Sequence, residues 1–252
     1  MLTAEYRIVA LHRCLAPVLF PALCLLAFAA AADINVSILR EASKQGDAAA
    51  AGKSTAAAAS TTAKAPASSS QETPNTWYQR ASALDRRGAS NEDLVTAAHW
   101  YRKAAEKGHT DAQTNLAVMY TEGRGVTVDG LEAVRWFRAA AEAGNVRAQY
   151  SLALMYHLGQ GVDQDYADAI HWYESAARQG DANAMNNMAF MYGMGEGVEQ
   201  SDVEAYAWFA LAASRGNADA AENRDLAAQE MTPEDRRKAG QRYSQLEEQL
   251  EL

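Results

Sequence analysis

The chain has 252 residues, of which 48% are hydrophobic, and a formal net charge of −9. That length is enough for one or two ordinary domains. From residue 77 to residue 252 there are 17 Lys and Arg against 27 Asp and Glu, a net charge of −10. An acidic excess of this size leaves no basic surface for a phosphate backbone, so nucleic-acid binding is excluded as a function.

Residues 1–32 have the pattern of an export signal. Arg7 and Arg13 form a basic start, residues 15–26 are apolar, and the small residues 30–32 offer a cleavage site before Asp33. We therefore predict a signal peptide over 1–32 and a periplasmic or secreted mature protein, with no membrane insertion after signal removal. An inner-membrane anchor made by an uncleaved signal stays open as the alternative, because the apolar segment reaches the short end of a membrane span.

Residues 33–76 are predicted to be a disordered linker. Ala, Ser, Thr, Lys and Gly dominate residues 48–70, and such short side chains bury too little area to offset chain entropy. Both cysteines, Cys14 and Cys24, precede the linker. The mature chain is therefore expected to fold without disulfides.

After the linker, a pattern of 36 residues recurs through the chain. Glycines and Ala-Ala pairs keep this interval, and so do four tryptophans, which we predict to form the structural core of the repeat: Trp100, Trp136, Trp172 and Trp208. A fixed period of this length indicates a helical repeat protein.

Each repeat is predicted to contain two helices. Ala112, Leu116 and Tyr120 fall on one helical face, and the turn at 123–126 ends that helix with glycine. A second amphipathic helix follows around Trp136. A helix pair of this kind has apolar surface on both sides, so neighbouring pairs must stack.

These patterns give the expected boundaries within 77–252. Thr232 as N-cap and Pro233 at the first helical position predict a closing helix to about Gln249. The expected segments are an N-terminal cap pair at 77–108, full repeats at 109–144, 145–180 and 181–216, and a C-terminal cap at 217–252.

The motif G-x-G-V occurs at 123–126, 159–162 and 195–198, and A-x-x-W-[YF]-x-x-A-A-x-x-G follows it. These residues resemble Sel1-like repeats of the exported bacterial type, which are relatives of the tetratricopeptide repeat. The resemblance implies an all-α fold: a right-handed α-solenoid of two-helix repeats with N- and C-terminal capping helices. It also implies a protein–protein interaction scaffold.

One cysteine-rich branch of that family is linked to β-lactam binding or hydrolysis. The chain has no cysteine in any repeat. It also lacks S-x-x-K, H-E-x-x-H, P-loop and G-x-S-x-G motifs. We therefore predict that it is not an enzyme and that it takes no cofactor, and we keep a cell-wall or β-lactam-directed hydrolase as the alternative function.

Two patterns suggest metal ligands, and a simpler explanation is preferred for each. Asp163 and Asp165 flank a loop residue, but Ala167 stands where the next calcium ligand belongs. Core packing explains a methionine series that could otherwise hold Cu(I): Met185, Met188, Met191 and Met194. We predict no metal site.

Alignment with the first helix of tetratricopeptide repeats predicts which side chains line the concave, partner-binding face. They are Tyr78, Val118, Tyr150, Leu154, His157, Asn186, Phe190 and Met194. This mixture suits a hydrophobic or basic peptide segment of an unidentified protein. The alternative at these positions is packing against the next repeat, and a purely structural oligomeriser remains a third class of function.

Overall fold

The structure is a computed structural model, and it describes residues 72–251. The predicted signal peptide and nearly all of the predicted linker lie outside the described residues. Within them the fold is all-α, as predicted, with ten helices and no strand. The helices are α1 (Pro74–Leu84), α2 (Asn91–Ala105), α3 (Thr110–Glu122), α4 (Gly130–Glu142), α5 (Val146–Leu158), α6 (Tyr166–Arg178), α7 (Ala182–Met194), α8 (Asp202–Ser214), α9 (Ala218–Glu230) and α10 (Pro233–Gln249).

The described residues fall into two compact units. The N-terminal unit, 72–129, contains α1 to α3, and α2 packs against both of the others. The C-terminal unit, 130–251, contains α4 to α10. Successive helices from α4 to α9 pack on one another, and α10 packs on α8. None of the helices in these two units is long and apolar enough to cross a membrane.

The first helix of each repeat starts with a side-chain cap at the same position. The capping side chain accepts a hydrogen bond from the backbone N–H three residues on, and the capping residues are His109, Asn145, Asp181 and Asn217. Such caps satisfy an otherwise unpaired N–H group of the first helical turn. They explain why these helices begin at a constant interval along the chain.

The aromatic residue after each of the four repeat tryptophans is among the largest fully buried side chains of the described residues. These residues are Tyr101, Phe137, Tyr173 and Phe209. Trp136 and Trp208 are also buried, whereas Trp100 and Trp172 are half-buried. About half of the buried apolar residues are alanines, which let neighbouring helices approach closely.

A tyrosine–asparagine hydrogen bond joins the second helix of one repeat to the first helix of the next. Asn115 donates to the Tyr101 hydroxyl at 3.1 Å, and Asn187 donates to the Tyr173 hydroxyl at 3.0 Å. The spacing is 14 residues in both cases. A buried amide and hydroxyl that satisfy each other avoid the cost of unpaired polar groups.

The second glycine of the G-x-G turns at 123–125 and 159–161 lies against the backbone of the preceding repeat. A Cβ atom placed on Gly161 would lie 2.3 Å from the carbonyl carbon of Gly130, and one placed on Gly125 would lie 2.3 Å from that of Leu94. Both glycines also have positive φ. No other residue type fits such a contact in this backbone conformation.

The two ends of the described region depart from the regular repeat. Helix α1 begins at Pro74, three residues before the expected start at Trp77, because Thr73 and Thr76 form a capping box. At the other end, α10 spans Pro233–Gln249, the expected range. Arg242 on α10 pairs with Glu204 on α8 at 2.7 Å, which fixes the closing helix to the last regular repeat.

Candidate interaction face

Three of the predicted partner-binding residues in the C-terminal unit are buried. The Tyr150 ring lies 6.0 Å from that of Tyr173, and its hydroxyl lies 3.5 Å from the amide nitrogen of Asn187. Leu154 and Asn186 are buried as well. Burial raises the pKa of Tyr150 and of Tyr173, so both phenols stay neutral and serve as hydrogen-bonding groups.

Three other predicted residues of this unit reach solvent. Phe190 is half-buried and packs edge-on against Phe209, with 5.1 Å between the ring centroids. Met194, one helical turn later, is 46% exposed. His157 is half-buried. We call His157, Phe190 and Met194 the Met194 patch.

A hydrogen-bonded group positions His157 in this patch. Its Nε2 lies 2.8 Å from a carboxylate oxygen of Glu196, and its Nδ1 lies 3.3 Å from the Tyr173 hydroxyl. The ring of Tyr166 packs edge-on against it. Burial, helped by Glu196, raises the pKa of Tyr166. The imidazole is thus held between α6 and the loop after α7.

The N-terminal unit contains the remaining two predicted residues, Tyr78 and Val118. Both are half-buried. The Tyr78 ring stacks on His109, with 4.5 Å between centroids, and lies 5.9 Å from the ring of Tyr101. Part of the Tyr78 side chain therefore remains open to solvent, and Val118 on α3 adds aliphatic surface.

Sequence reasoning missed the residue between the two glycines of the turn. Glu196 pairs with His157, and Arg124 at the equivalent position forms an ion pair with Asp85. In both cases the partner lies 39 residues earlier, at the end of the preceding first helix. The acidic residue lies in the turn in one pair and at the end of the helix in the other. This complementarity between copies is the signal in the sequence that could have revealed the contact.

The accessible side chains of this arrangement offer a surface for recognition. Among residues 72–251 there is no group of three or more His, Cys, Asp or Glu side chains placed to hold a metal ion. The Met194 patch presents part of an aromatic ring, a thioether and an imidazole beside a carboxylate. Such groups are typical of protein-binding surfaces.

Stacked helix pairs with a 36-residue period and an unbroken set of packing positions define a helical-hairpin repeat protein. The Sel1 repeat model matches residues 87–109, 110–145, 146–181 and 182–217, together more than half of the chain. The chain belongs to the Sel1 repeat family. Proteins of this family are generally protein–protein interaction scaffolds without catalytic activity.

Two of the solved structures that are similar to this chain illustrate the family. A protective antigen present in uropathogenic Escherichia coli strains, with an SLR fold, is 40% identical with a TM-score of 0.55, over 57% of this chain and 31% of that one. A Sel1 repeat protein from Oxalobacter formigenes is 34% identical with a TM-score of 0.57, over 61% of this chain and 63% of that one. The chain thus spans less than two thirds of either relative. A search of the curated proteins found no match.

Proposed function

We propose that this protein is an exported adaptor, periplasmic or secreted, that binds a partner protein or peptide through the exposed surface of its first-helix positions. The observation that carries the proposal is the Met194 patch. Met194 is a large apolar side chain with nearly half its surface open to water, and it is continuous along α7 with the half-buried Phe190. Exposed apolar surface rimmed by polar groups marks interaction sites.

The chemistry of the patch favours a hydrophobic peptide segment. Met and Phe accommodate apolar side chains of varied shape. His157 and Glu196 at the edge supply hydrogen-bonding groups that would orient the ligand backbone. The side chains that form these contacts are anchored in α5, α7 and the following turn, so the surface is preformed and little ordering cost accompanies binding.

Affinity capture from an envelope extract tests the partner-binding role. Met194→Asp places a charge on the patch, and we expect it to abolish recovery of the specific partner. Val95→Asp is the matched control, because Val95 on α2 is 50% exposed and receives the same charge. Equal recovery with wild-type protein and Met194→Asp would refute the assignment of the face, and equal loss with both variants would show an effect of charge alone.

Export is tested separately. Residues 1–32 resemble a cleaved signal, so the mature protein is expected in the periplasmic or secreted fraction with Asp33 as its first residue. Intact-mass measurement after cell fractionation checks this. Recovery of the full-length chain in the membrane fraction would favour an anchor made by an uncleaved signal.

A further inference from the structure

Three hydrogen-bond donors in the N-terminal unit converge on one carboxylate. The carboxylate belongs to Glu72, the residue before the N-cap of α1. Arg80 donates to one oxygen at 2.8 Å, while Lys103 and the Trp77 indole donate to the other at 2.9 and 3.2 Å. The donors come from both α1 and α2. These hydrogen bonds lower the pKa of Glu72 to about 2, and the bond from Lys103 is the largest cause.

Aromatic rings hold the two cations in place. The Lys103 ammonium lies 4.4 Å from the ring centroid of Trp77 and 5.0 Å from that of Trp100. The Arg80 guanidinium lies 5.0 Å from the ring centroid of Trp100. Cation–π contacts with helical residues orient both cations whether or not the carboxylate is bound. The donors are therefore a preformed receptor.

A related arrangement in the C-terminal unit shows what is different about Glu72. There the Trp136 indole donates to Glu132 at 3.1 Å, and Arg135 donates to the same carboxylate at 2.8 Å. Glu132 lies inside α4, so the helix backbone fixes it beside its donors. Glu72 lies outside α1, whose start is held by the capping box of Thr73 and Thr76. Its backbone can move away without unwinding the helix.

The receptor is also open to solvent. The exposed side-chain fractions are 44% for Glu72, 48% for Arg80 and 37% for Lys103. A second carboxylate can reach the same donors as soon as Glu72 leaves. Two cations and an indole N–H select a carboxylate over neutral ligands, because charge-assisted hydrogen bonds are about twice as strong as neutral ones.

We propose that Trp77, Arg80 and Lys103 form a carboxylate-binding site that is occupied by the chain's own Glu72 and takes an acidic segment of a partner protein in its place. Glu72 acts as a tethered competitor. A tethered ligand has an effective concentration on the order of millimolar. A partner with several neighbouring Asp or Glu side chains therefore displaces it more readily than a free monocarboxylate does.

The test uses the full chain and a hexaglutamate peptide as the probe, with binding measured by calorimetry at physiological salt. Glu72→Gln removes the competitor, and we expect it to bind the peptide more tightly than wild type, as removal of a tethered ligand predicts. The gain is expected to be several-fold, because the competing ion pairs are partly exposed and weak. Adding Lys103→Gln to this variant is expected to abolish the gain. Glu92→Gln is the matched control, because it removes one negative charge from the first turn of α2, away from the cluster.

Each result has a defined meaning. A gain for Glu72→Gln that depends on Lys103 supports the site. No gain, a gain that persists with Lys103→Gln, or an equal gain for Glu92→Gln overturns it. Circular dichroism of each variant verifies that the helices are intact. The Met194→Asp variant should bind hexaglutamate as wild type does. The carboxylate-binding site and the Met194 patch are therefore tested independently of each other.

Discussion

Asn223 is a buried amide, and the position of its expected partner holds Phe209, which has no hydroxyl group. It stands 14 residues after Phe209, the spacing at which Asn115 and Asn187 donate to tyrosine hydroxyls. Asn223 is fully buried, and neither polar atom of its side chain has a hydrogen-bond partner among residues 72–251. A buried polar group left unpaired costs about 1–3 kcal/mol.

Restoring the hydroxyl should stabilise the C-terminal unit. We expect Phe209→Tyr to raise the free energy of unfolding by about 1 kcal/mol, the net contribution of a typical hydrogen bond. Urea denaturation measures the change. The same substitution in an Asn223→Ala background should give no gain. Destabilisation in both backgrounds would show that the new hydroxyl does not reach Asn223.

Asp181 is a charged helix cap at a position where the neighbouring repeats use a neutral one. Its carboxylate accepts from the Ala184 N–H at 2.8 Å, as Asn145 and Asn217 accept from the equivalent N–H groups. Burial raises the pKa of Asp181, partly offset by the backbone hydrogen bonds. Ionisation therefore costs more in the folded state than in the unfolded state.

Asp181→Asn should keep the cap and remove the cost of the buried charge. The wild-type penalty is present above the raised folded pKa and absent below the ordinary pKa of an unfolded Asp. We expect the variant to melt at a higher temperature than wild type at neutral pH, and the difference to shrink as the pH falls through the folded pKa of Asp181. Thermal melts across this range provide the measurement. A difference that is independent of pH would contradict the electrostatic explanation.

At the scale of the helix and its turn, two glycines with positive φ have different roles. Gly161 lies against the backbone of Gly130, whereas a Cβ atom on Gly180 would meet nothing within 4 Å. Alanine at either position must adopt a left-handed conformation, which costs about 1–2 kcal/mol. At Gly161 a steric overlap with backbone atoms is added.

We expect Gly180→Ala to lower the unfolding free energy by about 1–2 kcal/mol. Gly161→Ala should cost a further 1–3 kcal/mol or so, because a well-packed contact resists insertion of a methyl group. Chemical denaturation of the two variants side by side isolates the contribution of the close approach. Equal losses would mean that the turn simply moves away from Gly130.

The closing helix α10 combines a small apolar contact with an ion pair to the last regular repeat. Its buried residues are Ala239 and Leu246, and it ends at the buried Leu250. Glu204, which pairs with Arg242, is equivalent to Glu132, the acceptor of the Trp136 indole. The Trp208 indole accordingly lacks a partner within the described residues. In this repeat, Glu204 therefore pairs with Arg242 on α10 and does not accept a hydrogen bond from the tryptophan indole of its own helix.

At the scale of the whole molecule, the folded repeats hold together without covalent cross-links. Both cysteines precede residue 25, and the repeats contain none. The melting temperature of the helical region, followed by far-ultraviolet circular dichroism, should therefore be the same with and without dithiothreitol. A fall in melting temperature on reduction would show that Cys14 and Cys24 contribute to its stability.

Much of this architecture could be predicted from periodicity, because stacking repeats require the same residue type at the same place in each copy. The tryptophans and the G-x-G turns were readable in this way, whereas the closing helix was readable from the N-cap Thr232 and from Pro233. The burial of Tyr150 and Asn186 was not, because a helical face shows which side chains share a side and leaves open what covers them. The Glu196–His157 contact is set by differences between copies, which an averaged motif hides.

The contact between Gly161 and Gly130 has a consequence for how such a chain changes length. Each turn glycine fits the start of a helix that lies 31 residues earlier, at Gly125 and Leu94 as at Gly161 and Gly130. A duplication or deletion of one complete 36-residue module keeps this spacing between a turn glycine and the helix it contacts. An insertion of one residue within a module would instead drive a side chain into a neighbouring main chain. We therefore expect the fold to tolerate the insertion or deletion of a whole repeat better than that of a single residue.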